Sequence, residues 1–443
     1  MKNILLFGAG KSTTCLIEYL LKHADTENWN LGVVDADLQL AKSKIANHPK
    51  ARVISFDIYD DEERNKLICE ADIVISMLPP ALHRFVALDC IHCKKHLLTA
   101  SYVDDDMRAL APEIKKNDLL FLCEMGLDPG IDHMGAMKII HRIRAQGGTI
   151  TSYKSHCGGL IPEKYDDNPW HYKISWNPVN IVNAGKPGAV YKENNEIVEL
   201  DYYEVFEDLM SVTVPGMGNY SAYANRNSLS YMTGYNLEEA ETFIRTTLRH
   251  PDYCIGWHAI ILAGLTDDAD ETTIRNYQGK NMQSWFNGCL NYYTKSENLD
   301  DFLHRYIDKE YHQLVTNQFE YLGLLTGERI PDHARTSADI LRHLMVTKLS
   351  MKKDDHDMVI MLHEIMYLND QIPHVIKATL VTEGENNQRT AMAKTVGLPL
   401  GIAARLILNG KISARGLHIP TLPEIYEPVL DELEENGIVF RES

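Results

Sequence analysis

The chain has 443 residues, 44% of them apolar and 24% charged, and a formal charge of 44 − 62 = −18. At roughly 100–200 residues per domain this is a globular protein of two or three domains, which excludes disordered and fibrous architectures. So acidic a balance weighs against a nucleic-acid binder, which needs a basic surface to displace counterions from phosphates.

The chain starts Met1-Lys2-Asn3-Ile4-Leu5-Leu6-Phe7-Gly8, an apolar stretch too short for a signal peptide. No apolar run approaches the roughly 18–20 residues of a membrane helix, so no membrane partner is expected. The eight cysteines (Cys15, Cys69, Cys90, Cys93, Cys123, Cys157, Cys254, Cys289) are too sparse for a disulfide scaffold. Free thiols in a reducing cytoplasm are the expectation. Over residues 1–125, short apolar runs alternate with amphipathic helices. Strands are predicted at 3–7, 31–34, 52–55, 72–76, 96–99 and 119–122, and helices at 12–22, 38–46, 62–70, 82–93 and 106–116. Continuous apolar strands separated by helices predict a parallel sheet covered on both faces, an α/β doubly wound fold of Rossmann type. From 152 to 235, glycines, aromatics and polar residues predict an irregular mixed sheet. Residues 237–349 read as mostly helical, with helices at 237–249, 299–324 and 334–348. Antiparallel strands are predicted at 358–368 and 374–381, and helices at 388–408 and 424–436. The charged segment 351–357 reads as a hairpin or linker and as the best candidate for a mobile spot. The expected domains are 1–131 with 389–443, 132–236 with 350–388, and a helical insertion at 237–349.

Gly8-Ala9-Gly10-Lys11-Ser12-Thr13 follows the first strand and opens a helix. Gly8 suits a tight turn, Gly10 lets the backbone approach a pyrophosphate, and the helix start supplies N–H groups and positive dipole. A P-loop is rejected, because Leu5 stands where that motif needs glycine. Asp35, ending the second strand, can accept from both ribose hydroxyls of NAD and repel a 2′-phosphate, which is the favoured reading; the competing one is that Asp35 or Asp37 merely caps the next helix. Asp57 and Ser76, at the ends of strands three and four, are either cofactor contacts or turn residues. Cys90 and Cys93 with His92 and His96 lie in a helical pattern without a second ligand pair at zinc-ribbon spacing, so no metal is expected. Ala100-Ser101-Tyr102 and Leu127-Asp128-Pro129 fall at carboxyl ends of strands, where such sheets bind ligands. Cys157 precedes two glycines that permit close approach.

Ala100-Ser101-Tyr102, Gly126-Leu127-Asp128-Pro129-Gly130-Ile131-Asp132-His133, Cys157-Gly158-Gly159 and Tyr172-Lys173-Ile174-Ser175-Trp176 resemble the glutamate-forming saccharopine dehydrogenases. So do Tyr223-Ala224-Asn225-Arg226-Asn227-Ser228, Thr247-Leu248-Arg249 and the stretch 391–403. The motifs arrive in that family's order over nearly the whole chain. The resemblance implies a Rossmann domain completed by the C-terminal segment, a mixed α+β substrate domain and a helical insertion, with substrate and cofactor in the cleft between the first two. It implies substrate contacts at Ser101, Tyr102, Arg226, Thr247, Leu248 and Arg249, and supporting catalytic groups at Tyr102, Asp128 and Cys157. Lys173 is a further candidate proton carrier. The implied reaction is NAD(P)-dependent oxidation of the secondary amine of saccharopine and hydrolysis to glutamate and 2-aminoadipate 6-semialdehyde, or its reverse, in lysine metabolism. A homodimer is implied too. Asp35 stands where NADP-using relatives keep an arginine, which favours NAD, with NADP as the alternative. Val179-Asn180 replaces an Arg-Gly of many relatives. Competing readings are a carboxynorspermidine or lysine 6-dehydrogenase type enzyme, and a catalytically silent NAD-binding protein.

Overall fold

Runs of Ile, Leu and Val, apolar on both faces, build the first sheet from β1 (Lys2–Phe7), β2 (Trp29–Val34), β3 (Ala51–Ile54), β4 (Ile73–Ser76), β5 (His96–Thr99) and β6 (Leu120–Leu122). With the strand Gly416–His418 at one edge the order is Gly416–His418, β6, β5, β4, β1, β2, β3, every pair parallel. This is the doubly wound order, with its switch point between β1 and β4. The computed structural model describes residues 1–269, 276–277 and 279–443. They form two compact units, 1–150 with 367–374 and 380–443, and 151–366 with 375–379.

In the first unit the helix Thr14–Lys22 packs on the helix Ala391–Leu408 through small residues. A Cβ at Gly397 would stand 2.9 Å from the Leu16 nitrogen, and one at Gly401 2.6 Å from the Tyr19 ring. Contrary to expectation, Ala391–Leu408 is long and apolar enough to cross a membrane by length and composition. Most of it is buried, so the apolarity serves the core. The free-thiol expectation also fails at one pair. The helices Asp61–Glu70 and His83–Cys93 lie side by side and bring the Cα atoms of Cys69 and Cys93 to 4.9 Å, where a disulfide joins them.

The second unit is organised on β7 (Thr149–Leu160), β8 (Ala189–Glu193), β9 (Glu196–Leu200), β10 (Met210–Val214), β11 (Gly218–Ala224), β12 (Arg226–Asn227), β13 (Thr242–Arg249), β14 (Met358–Asn369) and β15 (Ile372–Glu383). The main path runs β10-β11-β13-β7-β14-β15. The helix expected at 237–249 is overturned, because Thr242–Arg249 is a central strand, parallel to β7 and antiparallel to β11. Its β-branched Thr242, Ile244, Thr246 and Thr247 fit a pleated surface, and pairing on both edges outweighs the apolar spacing that mimics a helix. β14 and β15 join through Asp370 and Gln371, both at positive φ, as a two-residue hairpin turn requires. The segment 351–357 is no loose linker: Asp355 and Asp357 are buried, and Asp355 accepts the Lys352 N–H at 2.6 Å. Helices Pro251–Leu262, Met282–Cys289, His312–Leu322 and Ser337–Leu349 surround a core containing Trp257, Trp285, Phe286 and Phe319.

Candidate functional site

Gly8 adopts φ +97°, and a Cβ there would stand 2.7 Å from the Met77 carbonyl oxygen, so the turn after β1 tolerates no side chain. Its neighbour Ala9 donates its N–H to Asp35 Oδ2 at 2.6 Å, and Asp37 donates to Asp35 Oδ1 at 2.8 Å. Asp37, not Asp35, caps the helix Leu38–Ile45. Gly10 has open space where a Cβ would be and caps the turn Lys11–Thr13. Lys11 is exposed, Ser12 half-buried, and the buried Thr13 hydroxyl donates to the Gly10 carbonyl at 2.9 Å. Lys44 donates to the same carbonyl and reaches Thr13 Oγ1 at 3.2 Å; burial pulls its pKa to about 8. A side-chain-free turn leading into a helix start fits a dinucleotide pyrophosphate, which takes backbone N–H groups as donors.

Ser76 is not open to a ligand. It is fully buried, and its hydroxyl pairs with His83 Nδ1 at 2.8 Å. The other face of that ring, Nε2, meets Ser101 Oγ at 2.8 Å and Thr99 Oγ1 at 3.4 Å. Burial lowers the His83 pKa to about 4, so the imidazole is neutral at physiological pH, with one ring nitrogen donating and the other accepting. Beside it two loops clamp together. Glu124 and Met125 donate their N–H groups to the carbonyls of Ser101 and Thr99 at 3.1 and 3.0 Å, and Glu124 Oε1 accepts from Val103 at 2.9 Å. Glu124 Oε2 pairs with the buried His133 at 2.8 Å, while Asp132 Oδ1 accepts from Gly130 at 2.5 Å. Ala100, Ser101, Tyr102, Leu127, Asp128 and Pro129 are therefore brought together at the strand ends. The Asp128–Pro129 bond is cis. Asp57 lies at the far edge of the sheet, where its carboxylate accepts the Tyr59 N–H at 3.0 Å as a turn residue.

In the second unit, β7, β13 and β11 set Cys157, Thr247 and Tyr223 side by side, with Ser155 opposite Arg245. Alternation then puts Ser155, Cys157, Arg245, Thr247 and Arg249 on one face. Gly158 is needed because a Cβ there would stand 2.4 Å from the Leu248 carbonyl oxygen. Leu248 itself is fully buried and faces away; what it offers this face is that carbonyl. Arg249, 5% exposed, donates to the carbonyls of Leu248 at 2.9 Å and Gly159 at 3.3 Å. Its guanidinium lies over the rings of Tyr172 and Tyr253 at 5.3 and 5.6 Å. Arg249 Nε and Ser155 Oγ are buried without a hydrogen-bond partner among the described residues. Arg226 stands apart, exposed and at φ +54° in β12, beside β8. Lys173 is 3% exposed, held at 2.9 Å by both Asp167 and Asp355. Val179 and Asn180 fall in the short helix Pro178–Val182.

Sequence reasoning gave no role to His83, Glu124, Arg245 or Asp355. His83 carries no pattern beyond following Pro79-Pro80-Ala81-Leu82, and Asp355 hides in a charged run. Arg245 was obscured by the mistaken helix; it is buried, 4.6 Å above the Tyr231 ring.

Residues 126–438 match the model of the saccharopine dehydrogenase C-terminal domain, and residues 4–122 that of the saccharopine dehydrogenase NADP binding domain. The Saccharomyces cerevisiae saccharopine dehydrogenase [NADP(+), L-glutamate-forming] is 31% identical, covering 100% of this chain and 99% of its own. The Arabidopsis thaliana alpha-aminoadipic semialdehyde synthase is 32% identical over 99% of this chain; the chain spans only 44% of that protein's length. The solved apo saccharopine dehydrogenase (L-Glu forming) from Saccharomyces cerevisiae superposes with a TM-score of 0.88 at 29% identity, covering 100% of this chain and 99% of that one. These findings do not support the NAD preference drawn from Asp35: the matching domain and the fungal relative are named for NADP. The physical reason is local, since Asp35 Oδ2 already accepts from Ala9 in the glycine turn and Oδ1 from Asp37.

Proposed function

The chain belongs to the saccharopine dehydrogenase family, and from that premise we propose that it is an oxidoreductase acting on the secondary amine of saccharopine with a nicotinamide dinucleotide. In the net reaction saccharopine, oxidised dinucleotide and water become glutamate, 2-aminoadipate 6-semialdehyde, reduced dinucleotide and a proton, or the reverse. When bound, the dinucleotide supplies the hydride acceptor. NADP is the proposed cofactor, supported by the names of the relatives and by the Lys44 ammonium standing at the glycine turn, where it can answer the extra phosphate.

The chain's own residues bind, orient and move protons. Saccharopine carries three carboxylates, and Arg249 and Arg226 are assigned to them as forked grips. Ser101 and Thr247 add hydroxyls, and the Leu248 carbonyl helps fix the Arg249 fork. The protonated amine must lose its proton before its neighbouring carbon can be oxidised, and water must then add to the carbon–nitrogen double bond. Asp128, Tyr102 and Cys157 are the groups proposed to carry those protons, help worth about 10²–10⁴-fold in such reactions. Lys173, held between Asp167 and Asp355, is assigned a supporting place beside Tyr172.

The observation that carries this reading is Arg249: a buried guanidinium stacked on two tyrosines with its Nε unpartnered awaits an acceptor that the described chain does not supply. The test is a steady-state assay of the purified chain with saccharopine against NADP and NAD in parallel. Reduction of NADP is expected. Turnover of a carboxynorspermidine-type amine or of free lysine, with none of saccharopine, would move the chain to a sister activity.

A further inference from the structure

One polar cluster in the second unit belongs to neither role above. The loop 166–171 and the start of the helix Pro251–Leu262 bring His171 and His250, far apart in sequence, into a stacked pair with ring centroids 3.8 Å apart and planes 25° apart. Asp252 completes the group: its Oδ2 lies 3.3 Å from His171 Nε2, and one donor atom from each of the three residues falls within 4.8 Å of the other two. Behind them Asp166 Oδ2 takes His171 Nδ1 at 2.5 Å, fixing the ring and turning Nε2 toward Asp252. Hydrogen bonds tie the scaffold together. The buried Gln318 amide donates to the carbonyls of Pro169 and Asp252, both at 2.9 Å, and Trp170 Nε1 donates back to the Gln318 carbonyl at 3.0 Å. His171 is held at φ +47°, a backbone conformation unusual for a residue other than glycine.

We propose that His171, His250 and Asp252 form a binding site for a divalent transition metal of the zinc or cobalt class. Two imidazoles and a carboxylate are the donor set such ions take, with water in the fourth position. Bonds of about 2.0–2.1 Å to a tetrahedral centre place ligands roughly 3.4 Å apart, so the two rings must tilt out of their near-parallel stack to point one nitrogen each at the ion. Asp166 is the outer carboxylate that orients a ligating histidine. Two local contacts give way. His171 Nε2 exchanges its contact with Asp252 for the ion. His250 Nδ1, which now accepts the Asp252 N–H at 3.3 Å, takes the ring proton instead and frees Nε2 for the ion. The ion would staple the loop before Tyr172 to the residue after Arg249, two neighbours already joined by ring and guanidinium.

The experiment is a titration of the chelator-treated full chain with Co²⁺ alone, followed by visible absorption. One equivalent should bind with ligand-field bands and without thiolate charge transfer. His171→Asn, which tolerates the left-handed backbone, and His250→Phe, which keeps the stack, should each lose at least about 30-fold in affinity, and Asp166→Asn about tenfold. No binding by the wild type, wild-type affinity in both histidine variants, or a thiolate band would overturn the site. Should the variants fail to fold, diethyl pyrocarbonate labelling of the wild type decides. Zn²⁺ should protect His171 and His250, and equal labelling with and without it would sink the proposal.

Discussion

Two places, one in each unit, treat buried polar atoms differently. Around the glycine turn of the first unit they are matched to one another: Asp35 with two backbone N–H groups, Ser76 with His83, His83 with Ser101, Glu124 with Val103 and His133. On the Cys157 face of the second unit, Arg249 Nε and Ser155 Oγ are buried without a partner among the described residues. An orphaned buried polar group costs roughly 1–3 kcal/mol. The first arrangement suits a ligand gripped by backbone, for which side chains need only hold the loop still. The second suits a ligand that brings its own acceptors. Removing a spare cation should therefore harm binding of the amine substrate and spare the dinucleotide.

Arg249→Met is the strongest way to break that contrast. Charge-assisted, forked hydrogen bonds to a carboxylate are worth about 1.5–3 kcal/mol, so saccharopine affinity should fall by about 100-fold. Dinucleotide affinity, read by titration calorimetry on the same protein, should stay within about twofold. Equal losses for both ligands would erase the distinction between the units. Arg226→Met should act in the same direction more weakly, by about tenfold, because Arg226 is exposed and water screens its charge. Arg226→Asn keeps the left-handed backbone and controls for strain, so it should bind saccharopine as poorly as Arg226→Met.

Legibility divides along the same line. The first sheet could be read because its strands are continuous apolar runs and its glycine turn sits where a pyrophosphate needs it; the predicted bounds differ from the observed ones by a residue or two. In the second unit, β13 was mistaken for helix, since Leu237, Ala240, Phe243, Ile244 and Leu248 have helical spacing and only pairing with β7 and β11 makes the segment a strand. Arg249 was named through a motif, but its stacking on Tyr172 and Tyr253 was invisible, because those rings arrive from separate elements. The same holds for Cys69 with Cys93, and for His171 with His250. Such pairs exist through packing alone, and no local pattern announces them. Asp35 is the opposite failure: its position at the end of β2 was correct, and its partners gave it a structural task.

A smaller effect sharpens the account of the first unit. His83 touches Ser101 but is buried behind it, so it is a positioning residue. His83→Phe should raise the KM for saccharopine about fivefold, the order of one lost hydrogen bond, with kcat reduced less. His83→Asn, which can pair with both hydroxyls, should recover most of the loss. The pH profile of kcat/KM is the readout that a mere packing role would not satisfy. With its pKa near 4, His83 should contribute no limb between pH 5.5 and 8. A wild-type limb near pH 6.5 that vanished in His83→Asn would mean the imidazole titrates and turns over protons itself.

The smallest expected effect probes the reverse face of the second sheet, where the groups around Glu364 are matched to one another as they are around the glycine turn. His156 Nδ1 pairs with Thr246 Oγ1 at 2.7 Å and Nε2 with Glu364 Oε2 at 3.3 Å, while Lys377 holds the other Glu364 oxygen. The His156 hydrogen bond, aided by Lys377 and opposed by burial, keeps the Glu364 carboxyl at about 2. Its folded pKa thus lies below the unfolded value of about 4.3. The stabilisation is then complete above about pH 5 and is lost as acid carries the solution down through the folded value. A quarter of the Glu364 side chain is exposed, so screening limits the effect to about 1 kcal/mol or less. Four of the five tryptophans lie in the second unit, so denaturant unfolding followed by their fluorescence reads this sheet. Glu364→Gln should be less stable than wild type by a constant margin from pH 6 to 8, and the margin should close toward pH 2.5. A margin that widened in acid would mean that Glu364 is destabilised by its surroundings, and that this face too carries unmatched charge.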